Sequence, residues 1–378
     1  MKHKPDFDLV VIGAGIHGTA LAAEAGRRGY RVLLIERYAK PGQGTSSRSS
    51  KLIHGGLRYL ETLELHLVRE CLAERRRLLD RYPDLVKLRE FFIPIYAATR
   101  RSRLAVRAGL CLYALLGGLH RHNRFRSLPR REWPELDGLD TRGLLAVYRY
   151  FDGQTDDALL TVRLAAEAAA AGAQLMFNTE FLGCERLDRG LAASYRNADG
   201  DSRITARCLI NAAGPWVNEV AGRCGPGIKT LEIDLVQGAH IEIPGQLRRG
   251  IYYLESPTDR RAVFATPWHG HVLVGTTETV YTGNPALCAP QPAEIEYLLA
   301  VYNHYFGGSH GNRTRADIID AWAGLRVLPR SPEQPFRRSR ETVLLTNQPH
   351  APDIISIYGG KLTNHHATAC KVLKLLGT

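Results

Sequence analysis

Three glycines near the start of the 378-residue chain have the spacing of a phosphate-binding turn. Gly13, Gly15 and Gly18 match G-x-G-x-x-G, and Glu36 follows Gly18 by 18 residues. Gly13 permits a tight turn, Gly15 lets the backbone approach a pyrophosphate, and Gly18 lets a helix pack on a strand. Free N–H groups at a helix N-terminus bind phosphate, and a carboxylate at Glu36 accepts hydrogen bonds from ribose hydroxyls. The pattern predicts a dinucleotide site.

The segments around these glycines predict the elements that would position them. Residues 9–12 and 31–35 are short apolar runs, which are typical of buried parallel strands, and residues 19–26 are rich in alanine, which favours a helix. The order of strand, glycine turn, helix, strand and acid is far more specific than the glycines alone. The alternative is a glycine-rich turn that holds no ligand.

A second stretch, residues 44–61, combines small hydroxyl residues with paired glycines. Such residues predict a close-fitting loop whose N–H and O–H groups meet a polar ligand. A nicotinamide-binding domain rarely carries this kind of loop directly after its first acidic residue. FAD is larger, and its ring system must be held by protein well beyond the first βαβ unit, so the loop favours FAD.

Residues 45–61, read as TSSRSSKLIHGGLRYLE, carry a resemblance to a known family. They are similar to the signature of the FAD-dependent glycerol-3-phosphate dehydrogenases, which belong to the D-amino-acid-oxidase-like flavoprotein superfamily. Further matching stretches occur in family order and cover almost the whole chain. These stretches are residues 211–217, 275–278, 324–329 and 358–363. The resemblance is to a short form that lacks the C-terminal helical domain of the long members, which leaves the exact substrate and the electron acceptor open.

The resemblance implies FAD as cofactor and sn-glycerol 3-phosphate as substrate, oxidised to dihydroxyacetone phosphate by hydride transfer to flavin N5. A quinone or another acceptor would then take the electrons. The predicted cofactor-binding residues are Gly13, Gly15, Gly18, Glu36, Thr45, Ser46, Ser47, Ser50, Lys51, Leu52, His54, Gly55, Ala213, Gly214, Gly360, Lys361, Leu362 and Thr363.

The chemistry of alcohol oxidation needs a base for the hydroxyl proton, and a phosphorylated substrate needs a cationic clamp. By resemblance, Arg326, Arg340 and Lys361 contact the substrate, with Arg58 and Tyr59 on the cavity wall; Lys361 could instead serve flavin N1. His240 is the candidate base, with a core histidine as the alternative reading. His365 and His366 lack a carboxylate at metal-binding spacing, so no metal is predicted.

Two further functions remain open at this stage. The chain could act on another hydroxy acid, polyol or amine with the same fold, or it could bind flavin without turnover as a partner or regulator. The cluster of cationic residues favours a phosphorylated polyol, because an amino acid needs only one cation for its carboxylate.

The fold class predicted is α/β, with a Rossmann-like FAD-binding domain and a substrate domain on a mixed, mainly antiparallel sheet. The order of the elements makes the FAD-binding domain discontinuous, over residues 1–90, 151–230 and 345–378. The substrate domain takes residues 91–150 and 231–344.

Charge and composition limit the classes of partner that the sequence favours. The net charge is +12, but residues 100–131 hold nine arginines and no acid, which argues for one local basic segment and against a nucleic-acid-binding face. That segment encloses an apolar helix over residues 104–119, too short to span a bilayer, and predicts contact with an anionic membrane surface. Seven scattered cysteines and the lack of a signal peptide predict a cytoplasmic protein, and the basic segment favours a peripheral location on the inner face of the cytoplasmic membrane.

Overall fold

A computed structural model describes residues 4–118, 120–225, 227–332, 338 and 340–377. The strands are β1 Phe7–Ile12, β2 Val32–Ile35, β3 Leu52–Ile53, β4 Val86–Tyr96, β5 Arg126–Ser127, β6 Leu144–Thr155, β7 Gln174–Met176, β8 Glu180–Arg186, β9 Leu191–Asn197, β10 Gly200–Asn211, β11 Ile233–Ile243, β12 Ile251–Glu255, β13 Ala262–Trp268, β14 His271–Gly275, β15 Thr279–Tyr281, β16 Asp320–Pro329, β17 Val343–Thr346 and β18 Ile354–Tyr358. The helices are α1 Ile16–Arg27, α2 Leu65–Arg81, α3 Arg103–Leu116, α4 Asp157–Ala170, α5 Val217–Gly222, α6 Pro292–His310 and α7 His365–Leu375.

The first sheet has a parallel centre, in the order β18, β10, β1, β2 and β7. Its central strand β1 is buried from Leu9 to Ile12 because helices cover one face and the β8–β9 hairpin lies against the other. Strands β9 and β10 form a hairpin, with antiparallel pairing on both sides of its turn. Parallel sheets place ligands outside the carboxyl ends of their strands, so this edge is where a site is expected.

The second sheet is mainly antiparallel, in the order β15, β11, β14, β13, β12, β4, β6 and β3. Strand β16 pairs with β11 over ten residues, and only the contact between β12 and β4 is parallel among the described pairs. Helix α6 packs on one face through residues such as Leu298, Tyr302 and Phe306, which are buried. The predicted fold class, a Rossmann-like domain beside a mixed and mainly antiparallel sheet, is confirmed.

Three strands cross the predicted domain boundaries, and one of them is β17, which contains the boundary after residue 344. Strand β4 begins at Val86 and β6 ends at Thr155, and these two residues pair with each other in the second sheet. Predicted boundaries after residues 90 and 150 therefore lie inside β4 and β6. The sequence did not show how far the pairing extends, because it depends on contacts between segments about 60 residues apart. The division into two discontinuous domains stays a proposal.

Candidate active site

A cavity of about 400 Å³ lies between the two sheets. The residues that follow β1, β2, β10 and β18 at their carboxyl ends line one side of it, and β11, β16 and the loop after β14 line the other. The site is therefore assembled from distant parts of the chain at the edge where parallel strands end.

The glycine turn leaves space that side chains would fill. Gly13 has φ of +102°, and a Cβ there would lie 2.8 Å from the Ala212 carbonyl oxygen. A Cβ on Gly18 would lie 1.9 Å from the Gly13 oxygen, so Gly18 serves the close packing of α1 on the turn. A Cβ on Gly15 would meet only the Ser46 Oγ, at 3.2 Å, on the cavity side. Gly15 is thus the glycine that gives a ligand access to the backbone.

Glu36 lies at the end of β2 and is held by two backbone groups. The Ala14 N–H donates to Oε2 at 2.6 Å and the Tyr38 N–H donates to Oε1 at 2.9 Å. Burial raises the pKa of Glu36, although both N–H groups oppose that rise. The carboxylate lies on the cavity wall with lone pairs free to accept ribose hydroxyls.

The hydroxyl-rich loop connects the two sheets. The Ile16 N–H at the start of α1 donates to Ser46 Oγ at 2.9 Å, and Thr45 Oγ1 donates to the Leu325 carbonyl of β16 at 2.9 Å. Fourteen of the predicted cofactor-binding residues line the cavity. They are Gly13, Gly15, Glu36, Thr45, Ser46, Ser50, Leu52, His54, Ala213, Gly214, Gly360, Lys361, Leu362 and Thr363.

The other four predicted cofactor-binding residues are not among the described residues that line the cavity. They are Gly18, Ser47, Lys51 and Gly55. The Lys51 side chain has protein partners, because its Nζ donates to the buried Asp157 at 2.6 Å and to the Ser47 carbonyl at 2.7 Å, and its contact with the cofactor stays a prediction. A buried carboxylate needs a cation, and Lys51 supplies it.

Gly55 faces the protein core. A Cβ at this position would lie 2.3 Å from the Tyr113 hydroxyl oxygen. Close packing explains why residue 55 is a glycine. The hydroxyl-rich loop therefore packs against the core as well as lining the cavity.

Three arginines converge on one carboxylate in the cavity wall. Glu278 Oε1 lies 2.5 Å from Arg340 Nη2, 3.6 Å from Arg326 Nη1 and 3.8 Å from Arg58 Nη1. Burial opposes ionisation of Glu278, but Arg326, Arg340 and Arg58 together lower its pKa. Burial and the repulsion from Arg326 lower the pKa of Arg340 to about 10, and burial also lowers the pKa of Arg326.

Lys361 is held against an aromatic ring rather than an acid. Its Nζ lies 3.8 Å from the centroid of the Tyr59 ring and 3.3 Å from Cys71 Sγ. Contact of an ammonium with a ring face is favourable and leaves its remaining donors available. Lys361 and Tyr59 both line the cavity, as predicted for a substrate or flavin N1 contact.

His240 is buried in the wall of the cavity and stays neutral. Its Nε2 lies 2.8 Å from Ser50 Oγ, and its ring stacks on Trp322 with a centroid separation of 5.8 Å. Burial, with repulsion from Arg326 and Lys51, lowers the pKa of His240 to about 3. A neutral imidazole can accept a proton, so the geometry and the charge state both suit a base.

Several site residues were missed by the sequence reasoning. Glu278 lay in a stretch quoted for the resemblance but received no role. Cβ atoms on Gly238 and Gly275 would lie 2.7 Å from Arg326 Nη2 and 2.0 Å from His240 Cδ2, so these glycines make room for the two side chains. His17 also lines the cavity. The sequence around Glu278 contains no nearby arginine that could have indicated its role, and the roles of the glycines depend on strand pairing.

The residues present fit FAD. An open glycine turn, a helix N-terminus, an acid for the ribose and small residues at Ala213 and Gly214 follow one another along the cavity. Together with the neutral histidine and the cationic cluster, they define a flavin-dependent oxidoreductase.

Comparison with known proteins agrees with this class. Residues 8–366 match the family described as FAD dependent oxidoreductase, and the chain belongs to that family. It is 36% identical over 377 residues to D-erythritol 1-phosphate dehydrogenase of Brucella abortus (strain 2308), covering 98% of this chain and 73% of that protein. It is 37% identical over 379 residues to glycerol-3-phosphate dehydrogenase of Pseudomonas aeruginosa, covering 98% and 71%.

A solved structure with bound FAD is also similar. It is the glycerol-3-phosphate dehydrogenase from Bacillus halodurans, with a TM-score of 0.77 and 26% identity. The match covers 98% of this chain but 64% of that one. The predicted family, enzyme class and FAD cofactor are confirmed, whereas the roles of individual residues remain predictions.

The prediction of no metal is not tested. Glu24, His366 and Cys370 bring ligand atoms within 4.8 Å of one another. Glu24 already accepts hydrogen bonds from Arg27 and Arg28, and these cations beside it disfavour a metal ion.

Proposed function

We propose that the protein oxidises the secondary hydroxyl of a small phosphorylated polyol to a ketone, with sn-glycerol 3-phosphate giving dihydroxyacetone phosphate as the leading reaction. The observation that carries the proposal is the convergence of Arg58, Arg326 and Arg340 in a cavity that also holds a neutral histidine. Three guanidiniums suit a phosphate dianion, since each offers forked donors. The names of two similar proteins, which act on glycerol 3-phosphate and erythritol 1-phosphate, support the same substrate class.

Each group of residues at the site has a separate role in the proposed reaction. FAD, when bound along the glycine turn and the hydroxyl-rich loop, supplies an acceptor for the hydride that leaves the carbinol carbon. The arginines bind and orient the phosphate. His240 takes the hydroxyl proton at Nε2 by way of the Ser50 hydroxyl, which bonds that nitrogen at 2.8 Å. Lys361 and Tyr59 close the wall beside the reacting carbon.

The cationic cluster argues against the other substrates considered. An amine would approach as a cation and be repelled by a group of residues whose net charge is positive. A hydroxy acid brings a single negative charge, which matches a cluster of three arginines and Glu278 less well than a phosphate dianion does.

An anaerobic titration tests the proposal. Glycerol 3-phosphate is added to the purified flavoprotein and the visible flavin absorbance is followed, with unphosphorylated glycerol as the matched control. We expect bleaching by the phosphorylated compound at concentrations where glycerol has no effect. Bleaching only by an amine or a hydroxy acid would place the protein with the second class of substrates, and no bleaching by any donor would contradict an enzymatic role.

We also propose that electrons leave to a quinone and that α3 rests on an anionic surface of the cytoplasmic membrane. Among the described residues, no helix combines the length and apolar character needed to cross a bilayer. Leu104, Ala108, Cys111 and Leu115 form one outward stripe of α3, and Leu104 and Leu115 are 78% and 61% exposed. An amphipathic helix with an exposed apolar stripe and nearby arginines is suited to lie in a headgroup layer.

The structure reduces the number of leucines and arginines in the predicted membrane segment that are available for contact with lipid. Leu110 is buried and Leu116 packs against the core, so only part of the predicted leucine face is available. Arg101 pairs with Glu61 and Glu255, and Arg126 pairs with Glu132, so their charges are neutralised locally. Leu119 lies outside the described residues.

A further inference from the structure

Glu278 occupies an unusual position for an acid in a site that binds an anion. It lies in the loop between β14 and β15, its side chain is only 7% exposed, and it lines the cavity. Its backbone is fixed, because Arg261 Nη1 donates to the Glu278 carbonyl at 3.1 Å. The carboxylate is therefore a built part of the cavity wall.

The two carboxylate oxygens have different surroundings. Oε1 faces Arg340, Arg326 and Arg58. Oε2 is buried and has no hydrogen-bond partner among the described residues. A buried acceptor without a donor is costly, and such atoms in a cavity wall point to a donor that the ligand brings. A phosphate oxygen cannot fill this place because it carries the same charge, whereas an alcohol hydroxyl can.

The charge of the cluster also depends on Glu278. Three guanidiniums and one carboxylate leave a net charge of +2, which matches a phosphate monoester dianion. Without the carboxylate the charge would be +3, and any small dianion would bind more strongly. The acid thus weakens the binding of bare anions.

We propose that Glu278 is a specificity-determining residue that selects hydroxylated phosphate monoesters over bare anions. Oε1 gathers the three arginines around the phosphate, and Oε2 accepts a hydrogen bond from a hydroxyl of the same substrate. The inference rests on the proposed function, because it assigns a role in binding the polyol phosphate.

The test compares two substitutions at this position with a matched control. Glu278→Gln removes the charge at nearly constant volume, and Glu278→Asp keeps the charge but withdraws the carboxylate by one methylene. Glu255→Gln is the control, since Glu255 is a buried glutamate of the same sheet that pairs with Arg101 at 3.0 Å and lies outside the described cavity lining. Each holoprotein is reduced with dithionite under anaerobic conditions so that no turnover occurs. Calorimetry then gives the dissociation constants of glycerol 3-phosphate and inorganic phosphate.

Opposite changes for the two ligands are the expected result. In Glu278→Gln we expect inorganic phosphate to bind at least about threefold more tightly and glycerol 3-phosphate about tenfold more weakly. In Glu278→Asp, phosphate affinity should stay within about twofold while glycerol 3-phosphate affinity falls. Glu255→Gln should change neither ligand.

Parallel changes would overturn the proposal. If both ligands weaken together in Glu278→Gln, the residue only maintains the structure, and if neither changes, it has no role in selection. The proposed function is judged separately from reduction of the oxidised unsubstituted protein by glycerol 3-phosphate. Failure of that reaction with intact selective binding would reject the function and leave the role of Glu278 standing.

Discussion

At the scale of single residues, the site places a neutral histidine in the same cavity as three arginines. His240 is held by the Ser50 hydroxyl and the Trp322 ring, while Arg326 and Lys51 repel a proton from it. Burial is the largest cause of the lowered pKa of His240, and Arg326, the same arginine that is proposed to attract the phosphate, adds to it. This coupling has a consequence for the pH dependence of the reaction.

We expect the rate of flavin reduction to be nearly independent of pH between about 5 and 8. The pKa of His240 is lowered to about 3, so the unprotonated form that accepts a proton is already fully populated across this range. An unperturbed histidine would instead lose activity as the pH falls through about 6.5. Stopped-flow reduction at saturating substrate measures the rate.

The substitution His240→Gln provides the comparison for that profile. It should slow reduction by about 100-fold or more with little change in substrate dissociation constant, since general-base catalysis contributes factors of this size. A fall in the rate of the unsubstituted protein near pH 6.5 would show that His240 titrates normally. An unchanged rate in His240→Gln would remove it from the mechanism.

Arg326→Ala should weaken the reaction with phosphorylated substrate far more than with glycerol. Loss of a charge-assisted hydrogen bond to a buried anion costs about 2–3 kcal/mol, which corresponds to roughly 30- to 150-fold in kcat/KM. The matched control is Arg330→Ala, because Arg330 follows the same strand but is 60% exposed and pairs with Glu232. Equal losses on both substrates, or an equal effect of Arg330→Ala, would argue against a phosphate role.

At the scale of elements, the sequence predicted most strands and helices because their signals are local. Residues 9–12 and 31–35 are apolar runs of the length of a strand, and the observed β1 and β2 agree with them closely. Helix α4 has a side-chain cap at its N-terminus. The structure assigns it to Asp156, whose side chain accepts from the Leu159 N–H.

Features that depend on pairing between distant segments could not be predicted. Lys51 lay in a cofactor-like loop, but its partner Asp157 is 106 residues away, and only the fold brings them together. Glu278 and Gly238 acquire their roles for the same reason, since β11 must lie beside β16 before Gly238 can make room for Arg326. The stretches of the chain that bear chemistry were therefore predictable, whereas the directions of their side chains were not.

The turn between β1 and α1 gives a prediction at this scale. Gly15→Val should leave the fold intact but reduce flavin occupancy, because Gly15 has an ordinary φ of −72° and its missing side chain faces the cavity. The ratio of flavin to protein absorbance after purification measures occupancy, and circular dichroism checks the fold. Gly222→Val is the control, since a Cβ there meets nothing within 4 Å. Full occupancy in Gly15→Val would show that the cofactor lies elsewhere.

At the scale of the whole molecule, the two sheets enclose the site while α3 carries an apolar stripe to the outer surface. Its inner face is anchored by Val106, Leu110 and Tyr113, which are buried in the core. The helix is therefore held in place by its buried face. Its exposed leucines can contact another surface without unfolding of the helix. Arg103 and Arg107, which are exposed on α3, add attraction to anionic lipids, at about 1 kcal/mol for each residue close to the surface.

Attachment to membranes is predicted to depend on both the leucines and the charge. The holoprotein should co-sediment with vesicles that contain phosphatidylserine at low salt, and binding should fade as salt screens the arginines. Leu104→Ser combined with Leu115→Ser should weaken binding, because both leucines are well exposed on α3. The control is Leu287→Ser, which removes a leucine that is 76% exposed on a different part of the surface. Failure to sediment at low salt, or equal binding by all three proteins, would mean that α3 does not face a membrane.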